Sequence, residues 1–303
     1  MSEIEWWEVN TMDYKSPIHR ENPLITITSD ACKTGFGAVC NEIEFNGHWN
    51  VHEKSLHINI LELKAAFLAL EYFAVNFKGH CRLRLDNTTA IYAINQMGSC
   101  KSNLINKIAK NMWVFALDKG IWLSAVYVPS KDNEADKPSR RVLNDSEFML
   151  NKDIYKQLIS MINFEPKIDI MASRVNFQVK PYISYKPDVD AVDIDAFTVD
   201  WSELDFYCFP PFNMVLRCLQ KIIKEKASGI LIVPYWEAQP FFPLFCRMII
   251  GKPILLPYRV NLLVHPTEPE TRHRMKGLKL IASLVSGKNV KNRGLIPKLQ
   301  RFC

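Results

Sequence analysis

Apolar and polar positions alternate along the first part of the chain, then change period, and the changes mark out the elements. Leu24–Asp30 (LITITSD) and Ile43–Trp49 alternate apolar with polar side chains, and Phe36–Cys40 between them is a short apolar run. Period two is the mark of a half-buried strand, so the pattern predicts three short strands with tight turns, an antiparallel meander. From Asn59 the period lengthens. Leu63, Ala66, Phe67, Leu70, Phe73 and Ala74 recur at three-to-four spacing, which predicts a helix ending near Lys78-Gly79. Asn59 suits its N-cap, with Glu62 in capping-box position. His80–Asp86 alternates again as a fourth strand. Asn87 and Thr88 can cap a helix running through Ala90, Ile91, Ile94 and Met97 to Gly98. Ser102–Lys119 is a further helix stopped by Gly120, and Ile121–Val128 a fifth strand. After the loop Pro129-Ser130-Lys131-Asp132, Asn133 caps a short helix that contains Asp136.

The second half also alternates strand and helix patterns. A helix to about Ile162 precedes a strand at Lys167–Ala172. Leu204–Phe209 is a strand leading into Pro210-Pro211-Phe212-Asn213, Met214–Ala227 a helix, and Ile230–Val233 a short buried strand. This order predicts a second α/β unit with a partly parallel sheet. The boundaries read as a lead-in at 1–22, a first domain at 23–150, a second at 151–250 and a basic, helix-like extension at 251–303.

Four acids in the first half change the picture. Asp30 closes the first strand, Glu62 stands in the first turn of the long helix, Asp86 closes the fourth strand, and Asp136 sits in the last helix. Strand interiors disfavour Asp, and half-burying a carboxylate without a partner costs several kcal/mol. Singly, each acid has an ordinary reading as a turn former, a capping-box acid, an N-cap or a first-turn acid. Jointly, all four occupy element ends that can converge on one sheet edge. Four carboxylates cannot crowd together without counter-charge. Two Mg²⁺ ions, for which Mn²⁺ can substitute, would supply it and would suit phosphodiester hydrolysis.

Composition narrows the class. The chain has 303 residues, 48% hydrophobic and 23% charged, enough for two soluble domains. The N-terminus MSEIEWWEVN has no apolar signal region and no apolar run approaches the ~18 residues of a membrane span. A soluble, intracellular protein, cytoplasmic or nuclear and without a membrane partner, is expected. Eight scattered cysteines form no CxxC pair, which argues against a zinc site or a disulfide framework. The net charge of +6 is mild, but the chain is basic from Arg272 onward, which suits a polyanion.

SDACKTGFGA, INILELKAA, RLDNTTA and ADKPSR, in this order, resemble the four signature blocks of retroelement ribonuclease H. WWEVN, HINILELKAAFLAL and VPSKDNEADKPSR bring the resemblance closest to the ribonuclease H of DIRS/Ngaro-type, tyrosine-recombinase retrotransposons, over about residues 3–150. The resemblance implies a ribonuclease H-like mixed five-stranded sheet with helices, following a reverse transcriptase. It implies cleavage of the RNA strand of an RNA–DNA hybrid, with Asp30, Glu62, Asp86 and Asp136 as catalytic metal ligands. Lys33, Thr34, Asn87, Thr88, Lys131 and Asn133 are candidate substrate contacts, since such an enzyme must read 2′-hydroxyls. The chain departs from the family by lacking a histidine in the loop Tyr127–Asn133, a loop one residue shorter than the family's pattern.

In the second half IDIMASRVNFQ, DAFTVDW, YCFPPFNMV and GILIVPYW resemble the blocks of Dam-like adenine-N6 methyltransferases, over about residues 154–250. This implies a Rossmann-like domain in which Asp169 and Asp195 face a cofactor pocket. Those enzymes carry Asn or Asp before Pro-Pro-aromatic to hold the flipped base. Here Phe209 precedes Pro210, Pro211 and Phe212, so a degenerate domain that does not use S-adenosylmethionine is expected. Two other readings stand beside the nuclease: a catalytically decayed nucleic-acid-binding module, and an active adenine methyltransferase.

Overall fold

The computed structural model describes residues 22–141, 148–275, 277–288, 290 and 299–302. The tryptophan-bearing lead-in, part of the polar connection after Arg141 and most of the basic C-terminal run lie outside the described residues.

The first half forms a five-stranded sheet: β1 (Ile25–Ala31), β2 (Gly35–Cys40), β3 (Ile43–His48), β4 (Gly79–Leu85) and β5 (Ile121–Tyr127), in the order β3-β2-β1-β4-β5. β1, β2 and β3 form the antiparallel meander, and β1, β4 and β5 run parallel. This is a mixed sheet, as the ribonuclease H resemblance implies. β1 is central, and its last five residues are buried on both faces. Helices α1 (Val51–Lys54), α2 (Ile58–Phe73), α3 (Thr88–Asn95), α4 (Asn103–Lys119) and α5 (Asp136–Ser139) complete this half. Leu61, Leu63, Leu70, Ile94, Met112 and Trp113 share one core with Ile27, Leu83 and Leu123 of the strands.

Three local expectations are corrected. Helix α2 starts two residues earlier than expected, because His57 is its N-cap and accepts the Asn59 N–H on Nδ1 at 3.2 Å. Asn59 instead bridges outward to Asn87 and Thr89. The helix ends at Phe73, not near Gly79, since Ala74 to Lys78 must turn the chain into β4. Asn133 does not cap α5, whose N-cap position is Ala135.

The second half is an eight-stranded sheet ordered β15-β12-β14-β11-β10-β7-β8-β9. Its members are β7 (Ile168–Ala172), β8 (Tyr182–Ser184), β9 (Asp193–Ile194), β10 (Asp205–Cys208), β11 (Ser228–Pro234), β12 (Ile249–Leu255), β14 (Leu280–Ser286) and β15 (Gln300–Arg301). β6 (Met149–Leu150) pairs separately with β13 (Leu263–Val264). β9, β8, β7, β10 and β11 run parallel, while β14 lies antiparallel between β11 and β12. Helix α6 (Lys152–Ile162) packs on one face, and α7 (Val215–Lys224) and α8 (Phe241–Met248) on the other. The helix-like reading of 251–303 is corrected. Leu280–Ser286 is a buried strand inside the sheet, and the border at 250 falls within β12. Among the described residues no helix is long and apolar enough to cross a membrane.

Among the described residues a buried ion pair joins the halves, as does a hydrogen bond from Lys54 Nζ to the Thr267 carbonyl. Arg174, just past β7, reaches Glu53 of α1 in a two-pronged contact at 2.9 and 3.1 Å. The same guanidinium donates to the His48 carbonyl and lies over the Phe36 and Trp49 rings. Lys64 joins from α2 at 2.5 Å. Burial pushes Glu53 up, but Arg174 and then Lys64 outweigh it and hold the carboxyl below its ordinary range.

Candidate metal centre

Two backbone features converge three acids. β1 and β4 are parallel with Thr28 level with Arg84, and continuing that register sets Asp30 level with Asp86. Helix α2 crosses the end of β1, and Glu62 accepts the Ala31 N–H there. Carboxylate oxygens of Asp30, Glu62 and Asp86 lie within 4.8 Å of one another. Asp30 and Glu62 are buried, and Asp86 is half-buried.

The oxygens are unevenly satisfied. Asp30 Oδ2 accepts from Ser139 Oγ at 2.6 Å and Oδ1 from Asn133 Nδ2 at 3.3 Å. Asp86 Oδ2 accepts from Ser130 Oγ at 2.7 Å. Glu62 Oε2 is buried with no hydrogen-bond partner. Burial, then the Asp30 and Asp86 charges, push the Glu62 carboxyl up to about 9. Burial raises Asp30 to about 6, against the Ser139 hydrogen bond and with added repulsion from Asp86 and Asp136. An orphaned carboxylate oxygen facing two more carboxylates lacks a cation. The donor set is all oxygen, which suits a hard divalent ion such as Mg²⁺ or Mn²⁺. The residues therefore fit a divalent metal.

Asp136 stands apart from this trio. It is close enough to raise Asp30, yet it lies outside the 4.8 Å cluster. Its Oδ1 is held by Arg140 Nη2 at 2.7 Å and Nε at 2.9 Å, at a solvent-exposed position. The four expected ligands thus divide into three assembled and one beside them.

The candidate substrate contacts divide too. Lys33 Nζ donates to the Leu56 carbonyl at 2.8 Å, and Thr34 Oγ1 meets Cys32 Sγ at 3.1 Å. Asn87 caps α3, of which Thr88 is the first residue, by accepting the Ala90 N–H at 3.0 Å. Lys131 is exposed in the 3-10 turn Ser130–Asp132. Asn133 is buried, and its amide is spent on Asp30, the Ser29 carbonyl and the Ala135 N–H. Both ends of that amide are thus engaged inside the protein, beside the acidic centre. Ser139 was missed as a site residue. Its only trace in the sequence is its place in ADKPSR, three residues after Asp136.

In the second half the chain order reverses between β7 and β10, the place where open α/β sheets hold ligands. A cavity of about 650 Å³ lies there, lined by Asp169, Asp195, Tyr207 and Phe209, with Gly47 and His48 of the first half on its wall. Asp169 is fully buried, and burial raises it to about 7. Unlike Glu62 it is satisfied: its oxygens accept the Met171 and Gln178 N–H groups at 3.3 and 2.9 Å. Phe209 packs its ring 6.4 Å from that of Phe212, where the methyltransferase pattern has a polar side chain. Pro210 is buried and Pro211 exposed.

No family model and no curated protein matches the chain. Among solved structures it is similar to LC11-RNase H1 in complex with an RNA/DNA hybrid, at 17% identity and a TM-score of 0.33, covering 38% of this chain and 92% of that one. It is also similar to RNase H1 from the halophilic archaeon Halobacterium salinarum, at 16% identity and TM-score 0.32, over 38% and 92%. A third is the N-terminal RNase H domain of a Mycobacterium tuberculosis protein, at 13% identity and TM-score 0.32, over 38% and 90%.

Proposed function

We propose that the first half is a metal-dependent ribonuclease H that hydrolyses the RNA strand of RNA–DNA hybrids during reverse transcription of a retroelement. The observation that carries this reading is the buried, unpartnered Glu62 Oε2 within an all-oxygen acidic cluster. Asp30, Glu62 and Asp86 would hold a first divalent ion, and Asp136, on the solvent side, would complete a site for a second. Bound there, the ions supply activation of the attacking water and stabilisation of the leaving 3′ oxygen, so that products carry 5′-phosphates. The protein's own part is to gather negative charge at the end of β1 and hold it still. Ser139 and Asn133 fix Asp30, Ser130 fixes Asp86, and exposed Lys131 lies on the loop beside Asp86 for the phosphate backbone. The test is hybrid cleavage in Mg²⁺ by the full chain and by Asp30→Asn. Cleavage by the wild type and none by the variant is expected; equal cleavage by both would sink the assignment. A wild type that neither cleaves nor binds Mn²⁺ would favour the decayed binding module.

For the second half, the doubly wound sheet and the cavity at its reversal point support a methyltransferase-like fold. Phe209 cannot accept a hydrogen bond from an adenine amino group, so this fold is proposed to bind without transferring methyl groups. A labelled methyl-donor assay on DNA should give background signal, and transfer above background would restore the adenine methyltransferase reading.

A further inference from the structure

The segment after β5 does two things in one stroke. Within seven residues it presents Asp136 and places two donors on Asp30, one per oxygen. Ser139 is 1% exposed and Asn133 6%, so both side chains sit inside the protein beside a carboxylate that is itself 4% exposed. Asn133 cannot swing away, because its Oδ1 accepts the Ala135 N–H at 3.1 Å while Nδ2 reaches the Ser29 carbonyl and Asp30. Ser139 Oγ lies 2.6 Å from Asp30 Oδ2 and 2.8 Å from the Asp136 carbonyl. A hydroxyl has one proton to give, and the carboxylate is the stronger acceptor.

The turn that carries these donors is locked onto the sheet. A Cβ on Gly37 would meet Ser139 N at 2.4 Å and the Ala135 carbonyl at 2.7 Å, and one on Gly35 would meet the Ser139 carbonyl at 3.0 Å. Cys32 Sγ donates to that same carbonyl at 3.1 Å. Two glycines of β2 thus allow the turn to lie flat against the strand, and the turn in exchange fixes the rotamer of Asp30.

We infer that Ser139, assisted by Asn133, is a positioning residue that sets the Asp30 carboxylate toward Glu62 and Asp86 in the geometry a divalent ion requires. This rests on the acidic centre being the metal site. Asp30 held by one donor instead of two would sample orientations in which its free oxygen points away from Glu62. Metal affinity would fall although no ligand had been removed.

The experiment measures Mn²⁺ binding to the full chain from the resonance signal of free Mn²⁺, beside the unfolding midpoint of the metal-free protein. Wild type is compared with Ser139→Ala, and with Ser139→Cys, which keeps the volume and loses the strong donor and stands in should the alanine variant fold poorly. Mn²⁺ affinity about ten-fold weaker is expected, the lower end of the effect of a hydrogen bond to a charged group. The Mg²⁺ concentration for half-maximal hybrid cleavage should rise in step, with the rate at saturating Mg²⁺ falling less. Wild-type Mn²⁺ affinity in either folded variant overturns the inference and leaves the nuclease assignment standing. A lowered unfolding midpoint with unchanged affinity also overturns it, as that is the mark of a merely structural hydroxyl. A wild type that binds no Mn²⁺ overturns both.

Discussion

Glu62 and Asp169 are both buried acids raised by desolvation, one in each half of the molecule, and they are opposite in every other respect. Asp169 meets two backbone N–H groups, and among the described residues no carboxylate charge adds to its raising by burial. Glu62 meets one backbone N–H and two carboxylates, with Oε2 left unpaired. A fold that satisfies its buried polar groups is complete as it stands. One that orphans a carboxylate oxygen in a cluster of like charge awaits a cation. The contrast is between an acidic cluster with an unpaired oxygen in the first half and a hydrogen-bonded acid on the cavity wall in the second.

The largest expected effect breaks the first side of this comparison. Asp30→Asn or Glu62→Gln should lower hybrid cleavage by about 1,000-fold or more, since the charge stabilisation at stake is several kcal/mol. Asp169→Asn should leave the Mg²⁺ dependence of cleavage unchanged. It should cost stability of about 1–3 kcal/mol, because the new amide presents a donor to one of two N–H groups; denaturant unfolding reads this.

The junction between the halves comes next. Arg174→Ala leaves Glu53 in the interior with Lys64 and the Asn50 N–H as partners, and a loss of about 3 kcal/mol in unfolding free energy is expected. Glu53 lies below its ordinary range in the folded protein. Its contribution is thus present above pH 4.5 and lost as pH falls through the folded value beneath that. The variant should show a weaker acid dependence there than the wild type.

Glu62 has the opposite sign. Its folded value of about 9 lies above the ordinary 4.5, so folding favours the protonated form. Metal-free protein should lose stability as pH rises from about 4.5 toward 9, by up to about 1.4 kcal/mol per pH unit. Saturating Mg²⁺ should flatten that slope, which a pH series of unfolding midpoints would show.

Much of the first half was legible because its signals are local. LITITSD shows a strand ending in an acid, and the three-to-four spacing of α2 shows a helix face. What the residues could not show was which side-chain groups compete for one another. Asn59 looked like a cap for Glu62, yet His57 takes that place and leaves Glu62 to the centre. Asn133 looked like a helix cap and a substrate contact, and only its return against Ser29 and Asp30 shows what its side chain meets. Asp136 shares the motif of Ser139, but Arg140 one turn on takes its carboxylate. The second half was less legible at its end, because Lys and Arg flank the apolar run of β14 and gave the whole segment a basic, solvent-facing cast. Its place inside the sheet follows from pairing with β11 and β12, which are distant in sequence.

The most direct test is the unfolding midpoint of wild type and Glu62→Gln, with and without Mg²⁺ or Mn²⁺, at pH 8. The variant should be at least as stable as the wild type without metal, since a buried anion with an unpaired oxygen is gone. It should lose the rise in midpoint that metal gives the wild type. A wild type indifferent to both ions, paired with a variant less stable than it, would contradict the claim that this cluster is built to hold a cation.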